Sequence, residues 1–363
     1  MSLTNYLSWQ LQEIRPFQRF LYLVLSSRIF GYWTVLLTLA VAVCIPSYPS
    51  LREATLSILW TESFSSTIVG LGLMRRPHFW DMIRRMQELV AAALADDDDD
   101  RVGTVGKRSQ EKWAVLMRRN VIWSSGALLC VGTMIIVSMW LRVLVTLKPL
   151  CAIWPLYPHA GPAAEPFASL FTATFIALPV CCVGFLVAAL SFLTCSAAGL
   201  HHALAQRLTE SRAPKDTYRV IAMHQKVRQL SIEFTEFFDG SMAQLMAGPI
   251  GNSLLATLQV LANDVDVNTF SQIFVVVVTL LQVSYLSQEL SDSSYALRRV
   301  AYQVGVEART LAEARALRLV ILVAGRTPAL SCKGLGRLSL PAAGRVIREF
   351  YSAVSVLGPR YNK

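Results

Sequence analysis

Charged residues are scarce in this sequence. Of its 363 residues only 16% are Asp, Glu, Lys or Arg, whereas 54% are hydrophobic, and the mean hydropathy is +0.45. Soluble globular domains average about 25% charged residues, so this composition excludes an ordinary soluble protein. The net charge of +10 does not predict nucleic-acid binding, because the basic residues lie between apolar runs and form no single patch.

Metal-binding and redox motifs are also missing. The seven cysteines have no zinc or Cys-x-x-Cys spacing, and most lie in apolar runs. Only Cys151 is expected to face an oxidising compartment, so no structural disulfide is predicted. The five acids from Asp96 to Asp100 lack the interleaved turn residues of a calcium loop and predict a solvated loop. We therefore expect no metal and no cofactor.

The usual signatures of catalysis are absent. The sequence has no Gly-rich phosphate loop, no His-Glu-x-x-His helix and no Gly-x-Ser-x-Gly elbow. His159 and His224 are isolated in sequence, and a lone histidine is more often structural than catalytic. We expect a protein that is not an enzyme. The chain also lacks the pseudo-symmetric halves on which many transporters are built.

Long apolar runs dominate what remains. They predict an all-α polytopic membrane protein with seven transmembrane helices, near residues 29–45, 54–74, 121–144, 167–198, 237–261, 270–290 and 338–357. The predicted division is an N-terminal cytoplasmic or interfacial segment (1–28), transmembrane helices one to four with the ligand-pocket region (29–198), a cytoplasmic helical segment (199–236), transmembrane helices five and six (237–290), a cytoplasmic anchor segment (291–337) and a pore-lining seventh helix (338–358).

Basic residues predict the orientation of these helices. The alternate segments 1–28, 75–119, 199–236 and 291–337 contain 3, 10, 6 and 8 of the 34 lysines and arginines, whereas the opposite connections contain few. Lysine and arginine accumulate on the cytoplasmic side of membrane proteins. The amino terminus is therefore predicted to be cytoplasmic, and seven crossings put the carboxyl terminus outside.

The last apolar helix carries one polar stripe. On a helical wheel, one side consists of Arg345, Arg348, Glu349, Ser352, Ser355 and Val356, and the opposite side of Val346, Ile347, Phe350, Val354 and Leu357. A polar stripe on a membrane helix faces water or other protein, because lipid does not solvate charge. Val356 lies where a ring of valines would close a wet pore by dewetting. An ordinary polar packing face between helices is the alternative.

Short motifs in the carboxyl-terminal part of the chain resemble those of insect odorant receptors. The matching residues are His224, Leu230 and Glu233, then Ser293-Ser294, Ala301-Tyr302, Arg326 with Pro328, Leu338-Ser339-Leu340, and Tyr351-Ser352 with Leu357. The evidence lies in their order and spacing over about the last 140 residues. The sequence departs from the family pattern in lacking a Cys near Ser284 and a Trp shortly after Ala301-Tyr302.

The resemblance implies a function. Members of this family are odorant-gated, non-selective cation channels, and a tuning subunit assembles with a shared odorant co-receptor as a heterotetramer. It implies that helix seven lines the central pore, that cytoplasmic helix extensions form an intersubunit anchor, and that the protein lies in the plasma membrane of olfactory sensory neuron dendrites. The co-receptor has a longer insertion before helix five, so the short 199–236 segment favours the tuning subunit. Glu349, one turn from Arg345, is expected to neutralise that arginine in part.

A ligand pocket is expected among the outer halves of helices two, three, four and six, where geometry and the family resemblance together point. The candidate ligand-binding residues are Trp60, Phe64, Thr133, Ile136, Trp140, Phe171, Phe175, Phe270 and Phe274. An aromatic wall with a hydroxyl favours small, volatile, weakly polar molecules. Each of these aromatic residues has helix packing as its alternative role.

Three other functions are alternatives. A gustatory receptor is a related channel, but its terminal Thr-Tyr and Gln-Phe pattern is absent here. A G-protein-coupled receptor requires the reverse orientation, and the Asp-Arg-Tyr and Asn-Pro-x-x-Tyr motifs are missing. A passive carrier would show saturable flux without ligand-evoked current.

Overall fold

The computed structural model describes residues 28–43, 51–95, 164–211, 214–261, 267–306, 310–325 and 327–361, with scattered helical positions between 115 and 145. In these ranges the chain is helical except for short turns and one two-stranded hairpin. The elements are α1 (Arg28–Ala42), α2 (Leu51–Met74), α3 (Pro77–Ala95), α4 (Ala164–Glu210), α5 (Pro214–Leu261), α6 (Val267–Val306), α7 (Leu311–Ala324), β1 (Ser331–Cys332), β2 (Gly336–Arg337) and α8 (Leu340–Tyr361).

Three helices are much longer than a bilayer crossing. Helices α4, α5 and α6 have 47, 48 and 40 residues, whereas about 20 residues span a hydrocarbon core. Each continues without a break across the predicted segment boundaries at 198/199, 236/237 and 290/291. The predicted polar segments 199–236 and 291–306 are therefore largely the same helices extended beyond the apolar region.

Helices α4, α5 and α6 pack against one another and form the centre of the fold. Helices α2 and α3 pack on α4 and α5, while α7 and α8 pack on α5 and α6. The largest fully buried side chains lie along these contacts, and they include Phe79, Phe234, Phe238, Met242 and Leu290. This packed centre supports α8 along one side only.

Several helices expose apolar side chains that a soluble protein would bury. On α1 these are Tyr32, Val35, Leu36 and Leu39; on the helical positions between 134 and 145 they are Met134, Val137, Leu141, Leu144 and Val145. Within the described side chains, the stretch Cys182–Glu210 is itself long and apolar enough to cross a membrane. An exposed apolar belt of this kind suits contact with lipid.

A short β-hairpin precedes α8. Ser331 pairs with Arg337 and Cys332 with Gly336, and the Leu338 N–H donates to the Leu330 carbonyl oxygen over 2.9 Å. Its tight loop uses Gly334 at φ +93°, a conformation that glycine adopts without the steric penalty of a side chain. The hairpin therefore fixes where α8 begins.

Candidate functional site

Helix α8 has three faces in the single subunit. Ala342, Ala343, Val346, Phe350 and Val354 are buried or half-buried against the rest of the chain. The polar face is exposed, and its described members are Arg345, Arg348, Glu349, Ser352 and Ser355. A third face exposes Leu340, Ile347 and Tyr351. Ile347, on the apolar side of the helical wheel, is thus exposed, because the neighbouring helices cover a narrower arc of α8 than its apolar residues occupy.

The charges on the polar face have no ion-pair partner in the described chain. Glu349 lies one turn from Arg345, yet no nitrogen–oxygen pair between them comes within 4.0 Å. The expected neutralisation of Arg345 by Glu349 is thus not formed in the single subunit. Farther along, the Ser355 hydroxyl donates to the Ser352 carbonyl oxygen over 2.8 Å. The side chain of Val356 lies outside the described residues.

The residues that carry the family resemblance position the start of α8. Leu338 is buried, and the Ser339 hydroxyl accepts from the Ala342 N–H over 3.3 Å, which caps the first turn of the helix. The Leu340 N–H donates to Gln288 Oε1 of α6 over 3.1 Å. Nearby, the Leu330 N–H donates to the Ser287 hydroxyl of α6 over 3.0 Å. Because these bonds come from α6, the hairpin and α8 are held as one unit against that helix.

The hairpin is also tied to α5. The Ser331 hydroxyl donates a hydrogen bond to the Asp239 carboxylate of α5, and Arg337 Nη2 donates to the Thr327 hydroxyl over 2.8 Å and to the Ser291 hydroxyl of α6. Burial raises the pKa of the Cys332 thiol in β1, which makes a reactive thiolate unfavourable there. Helix α8 is thus supported from α5 and α6 at its first turn.

The predicted pocket residues are placed only in part. Phe64 is buried in α2, Ile136 and Trp140 are half-buried, and Thr133 is exposed. The backbone at 133, 136 and 140 is helical, and this spacing puts the three residues on one face of the helix. The side chains of the other five candidates lie outside the described residues, namely Trp60, Phe171, Phe175, Phe270 and Phe274. The pocket stays a prediction.

A partly buried polar contact next to Phe64 was not predicted. Gln244 of α5 donates to the Ser65 hydroxyl of α2 over 3.0 Å, and Thr67, two residues farther along α2, is buried. Gln244 lies 179 positions from Ser65. The only feature of the local sequence that indicates a polar contact there is an amide side chain among apolar residues.

A charged cluster joins α3 to α5 in the polar region after α2. Arg85 donates two hydrogen bonds to the Glu233 carboxylate, and His78 Nε2 lies 3.0 Å from Glu233 Oε1. Arg85 Nε lies 2.8 Å from Asp81 Oδ2, close enough for attraction but without hydrogen-bond alignment. The bond to Glu233 raises the pKa of Arg85, and the hydrogen bond from Arg84 lowers the pKa of Asp81.

Two histidines meet where α4 and α5 extend beyond their apolar segments. The ring centroids of His201 and His224 are 5.8 Å apart, and none of the four ring nitrogens has a hydrogen-bond partner among the described residues. Burial lowers the pKa of His201 to about 3 and that of His224 to about 4. Both rings are therefore neutral at physiological pH. In the sequence His224 is isolated, and its neighbour His201 on α4 is 23 positions away, so no local pattern predicts the pair.

Among the described residues, no group of three or more His, Cys, Asp or Glu side chains is arranged to hold a metal ion. His201 and His224 form a pair without a third ligand, and a closed structural zinc site requires four. The features of the described residues are therefore the exposed polar face of α8, polar contacts between helices, and packing of aliphatic and aromatic side chains.

Comparison with known proteins identifies relatives at the level of family and fold. Residues 54–348 match the 7tm Odorant receptor family. The insect olfactory receptor OR5 from Machilis hrabei superposes with a TM-score of 0.72 at 11% sequence identity, over 91% of this chain and 88% of that one. The structure of that receptor in complex with eugenol gives a TM-score of 0.67 at 14% identity, over 94% and 88%. No curated protein sequence matches the chain.

These matches agree with the sequence prediction of an all-α, seven-helix membrane protein. The family match spans most of the chain, and the structural likeness shows the same fold. The family consists of membrane receptors and is not a family of enzymes. The chain therefore belongs to the insect odorant receptors, the 7tm odorant receptor family.

Proposed function

We propose that this receptor is a tuning subunit of an odorant-gated, non-selective cation channel. In this proposal it assembles with the shared odorant co-receptor as a heterotetramer in the plasma membrane of olfactory sensory neuron dendrites. Its amino terminus is cytoplasmic and its carboxyl terminus is outside, as the distribution of lysine and arginine predicts. A small volatile molecule binds among the outer halves of the helices, and α8 of each subunit lines the pore.

The exposed polar face of α8 is the observation that carries this proposal. Arg345, Arg348, Glu349, Ser352 and Ser355 are exposed in the single subunit, while the opposite side of the helix is covered by the fold. Charged side chains facing lipid are unfavourable by several kcal/mol, roughly 3 kcal/mol each by insertion scales. A shared aqueous path between subunits solvates this face without that penalty.

Assembly with other subunits is supported by a second exposed surface. Leu311, Leu319 and Leu322 of α7 are each more than half exposed, and they lie within one arc of that helix. Their neighbours on this outward side, Arg315 and Arg318, are also exposed. Aliphatic side chains interspersed with arginine are typical of a protein–protein interface. We therefore propose that the outward face of α7 contributes to the intersubunit anchor.

Voltage-clamp recording tests the proposed function. The chain is expressed with and without the co-receptor and exposed to a panel of volatiles, which includes eugenol because the Machilis hrabei receptor was solved with that molecule. The proposal requires inward cation current that appears only when odorant and both subunits are present. Saturable uptake of odorant without current would favour a passive carrier, and no response with the co-receptor would contradict the proposal.

Two substitutions separate the gate from the pocket. Val356→Ala is expected to raise the resting leak, because a smaller apolar side chain weakens dewetting of the closed pore. Trp140→Ala is expected to shift odorant potency without changing that leak, because it removes aromatic area from the pocket alone. An unchanged resting conductance in Val356→Ala would mean that the gate is assigned to the wrong residue.

Orientation has its own test. An epitope fused at Met1 should be inaccessible on intact cells and accessible after permeabilisation, whereas one after Lys363 should be accessible on intact cells. Surface labelling at Met1 would contradict the proposed topology and favour the orientation of a G-protein-coupled receptor.

A further inference from the structure

The charge on α8 is unusual for the lining of a cation pore. The helix contains three arginines, Arg345, Arg348 and Arg360, but a single acid, Glu349. Arg345, Arg348 and Glu349 lie within about 6 Å along the helix axis, at a rise of 1.5 Å per residue. Rings of Asp and Glu are typical of cation-selective pores, whereas Arg and Lys line pores for anions. This level of α8 therefore carries a net positive charge.

That charge is not cancelled inside the subunit. Arg345 and Arg348 are exposed and have no ion-pair partner in the described part of the chain. The side of α8 that packs against the fold has no carboxylate that could pair with these arginines. Its described residues are Ala342, Ala343, Val346, Phe350 and Val354. The nearest acid in sequence, Glu349, is itself exposed and forms no ion pair with either arginine. The net charge is thus directed outward with the polar face.

We infer that Arg345 and Arg348 lower the permeability of the channel to divalent cations relative to sodium. This inference rests on the proposed function, in which the polar face of α8 lines the pore. The Coulomb energy of an ion in the pore scales with its charge, so a fixed positive charge repels Ca²⁺ twice as strongly as Na⁺. The ratio of calcium to sodium permeability therefore falls while sodium still passes.

Reversal potentials measure this effect directly. Odorant-evoked currents are recorded from the receptor with its co-receptor under bi-ionic calcium and sodium, for the unmutated chain and for Arg345→Gln, Arg348→Gln and the double variant. Each single substitution is expected to raise the calcium-to-sodium permeability ratio by about threefold, and the double variant by more, as removal of a fixed charge predicts. Glu349→Gln should lower the same ratio.

Two controls separate charge from structure. Arg348→Lys keeps the positive charge but loses the guanidinium geometry, so it should retain the permeability ratio of the unmutated channel. Arg84→Gln removes an exposed arginine from α3, a helix that packs on α4 and α5, and should also leave the ratio unchanged.

The outcomes distinguish this inference from the proposed function. If all variants give clear odorant-evoked current with the same calcium-to-sodium permeability ratio, the inference is overturned but the proposed function is not. The arginines would then be paired with a neighbouring subunit or turned away from the pore. A calcium-to-sodium permeability ratio that falls when either arginine is replaced by glutamine would also overturn the inference. Absence of any odorant-evoked current in the unmutated assembly would overturn both.

Discussion

Arg85 of α3 binds Glu233 of α5 through two hydrogen bonds, although 148 positions separate them in the sequence. The bond from Nη1 to Oε2 is 2.9 Å long, and both side chains are shielded by the surrounding helices to well over half of their surface. The pair lies beside a cluster of aromatic rings that includes Phe79, Trp80 and Phe237. It therefore ties the segment after α2 to the long central helix α5.

Loss of this pair should destabilise the receptor. Glu233→Ala removes the acceptor of both bonds and leaves Arg85 without its main partner, a change that costs about 1–3 kcal/mol for partly buried charged groups. The expected result is a lower melting temperature of the detergent-solubilised protein, followed by fluorescence-detected size exclusion after heating. The melting temperature of Arg85→Lys should lie between those of Glu233→Ala and the unmutated protein, because lysine cannot form two parallel hydrogen bonds to the carboxylate.

Arg84 provides the matched control for that experiment. It is exposed and bonds only across the surface of its own helix, with Nη2 2.6 Å from Asp81 Oδ1. Ion pairs this exposed contribute little, because water and salt screen them, so Arg84→Ala should leave the melting temperature nearly unchanged. Equal effects of Arg84→Ala and Arg85→Ala would contradict the structural role of the Glu233 contact.

Gly70 marks a close approach between α2 and α4. A Cβ atom added at Gly70 would lie 2.7 Å from Leu186 Cδ1 and 3.0 Å from Cys182 Sγ, and both of those side chains are buried. At Gly72, two residues on, such an atom would meet nothing within 4 Å. Gly70→Ala is therefore expected to melt at a lower temperature than Gly72→Ala, which gains helix propensity of about 1 kcal/mol without a clash.

The same thermal assay measures both glycine variants. Gly70→Val should be more damaging than Gly70→Ala, because it adds two further carbon atoms to a contact that is already too short. Equal melting temperatures for Gly70→Ala and Gly72→Ala would show that α2 and α4 are not packed as closely as this structure has them.

His201 and His224 predict loss of stability in mild acid. In the unfolded chain an imidazole binds its proton near pH 6.5, whereas in the folded protein the pKa values are about 3 and about 4. Between pH 6.5 and about 4 the unfolded state therefore holds more protons, so the free energy of unfolding falls as the pH drops through this range. Above pH 7 the pair should contribute no pH dependence.

Melting temperatures at pH 7.5, 6 and 5 check this prediction. His224→Phe keeps an aromatic ring in the space and removes one titrating group, so its melting temperature should decline less between pH 7.5 and pH 5 than that of the unmutated protein. The comparison between the two proteins is needed because carboxylates elsewhere also respond to acid. Parallel declines would contradict a neutral, buried His224.

The outward leucines of α7 predict a defect in assembly without a defect in folding. Leu319 and Leu322 are 59% and 72% exposed, so Leu319→Glu with Leu322→Glu removes little buried area from the subunit. Co-purification with the co-receptor should fall by about tenfold or more, because a charge buried in an interface is strongly unfavourable. The melting temperature of the unassembled subunit should stay the same.

Lys333→Glu is the control for the α7 variant. It places the same side chain at another exposed site, on the loop of the hairpin and away from the leucine surface. Co-purification should then remain at the level of the unmutated chain. Normal assembly of the double glutamate variant would show that the outward face of α7 contacts something other than a partner subunit.

Much of the fold was predictable because it depends on local patterns. Apolar runs predicted α1 at 29–45 and α2 at 54–74, and the observed helices span Arg28–Ala42 and Leu51–Met74. The polar stripe of α8 was also predictable, since Arg345, Arg348 and Glu349 follow one another at helical spacing. The exposure of Ile347 was not, because it depends on which neighbouring helices reach α8.

The sequence by itself determined the class of molecule: an apolar chain of seven membrane helices, with one polar stripe on the last and motifs that resemble the odorant receptors. These properties depend on residues within a few helical turns of one another, so hydropathy and residue spacing are enough to predict them. Only the tertiary structure decided which distant residues meet. The pairing of Arg85 with Glu233, of Gln244 with Ser65 and of His201 with His224 depends on how long helices cross. That geometry is set by the packing of side chains from several helices at once, so no local stretch of sequence contains it.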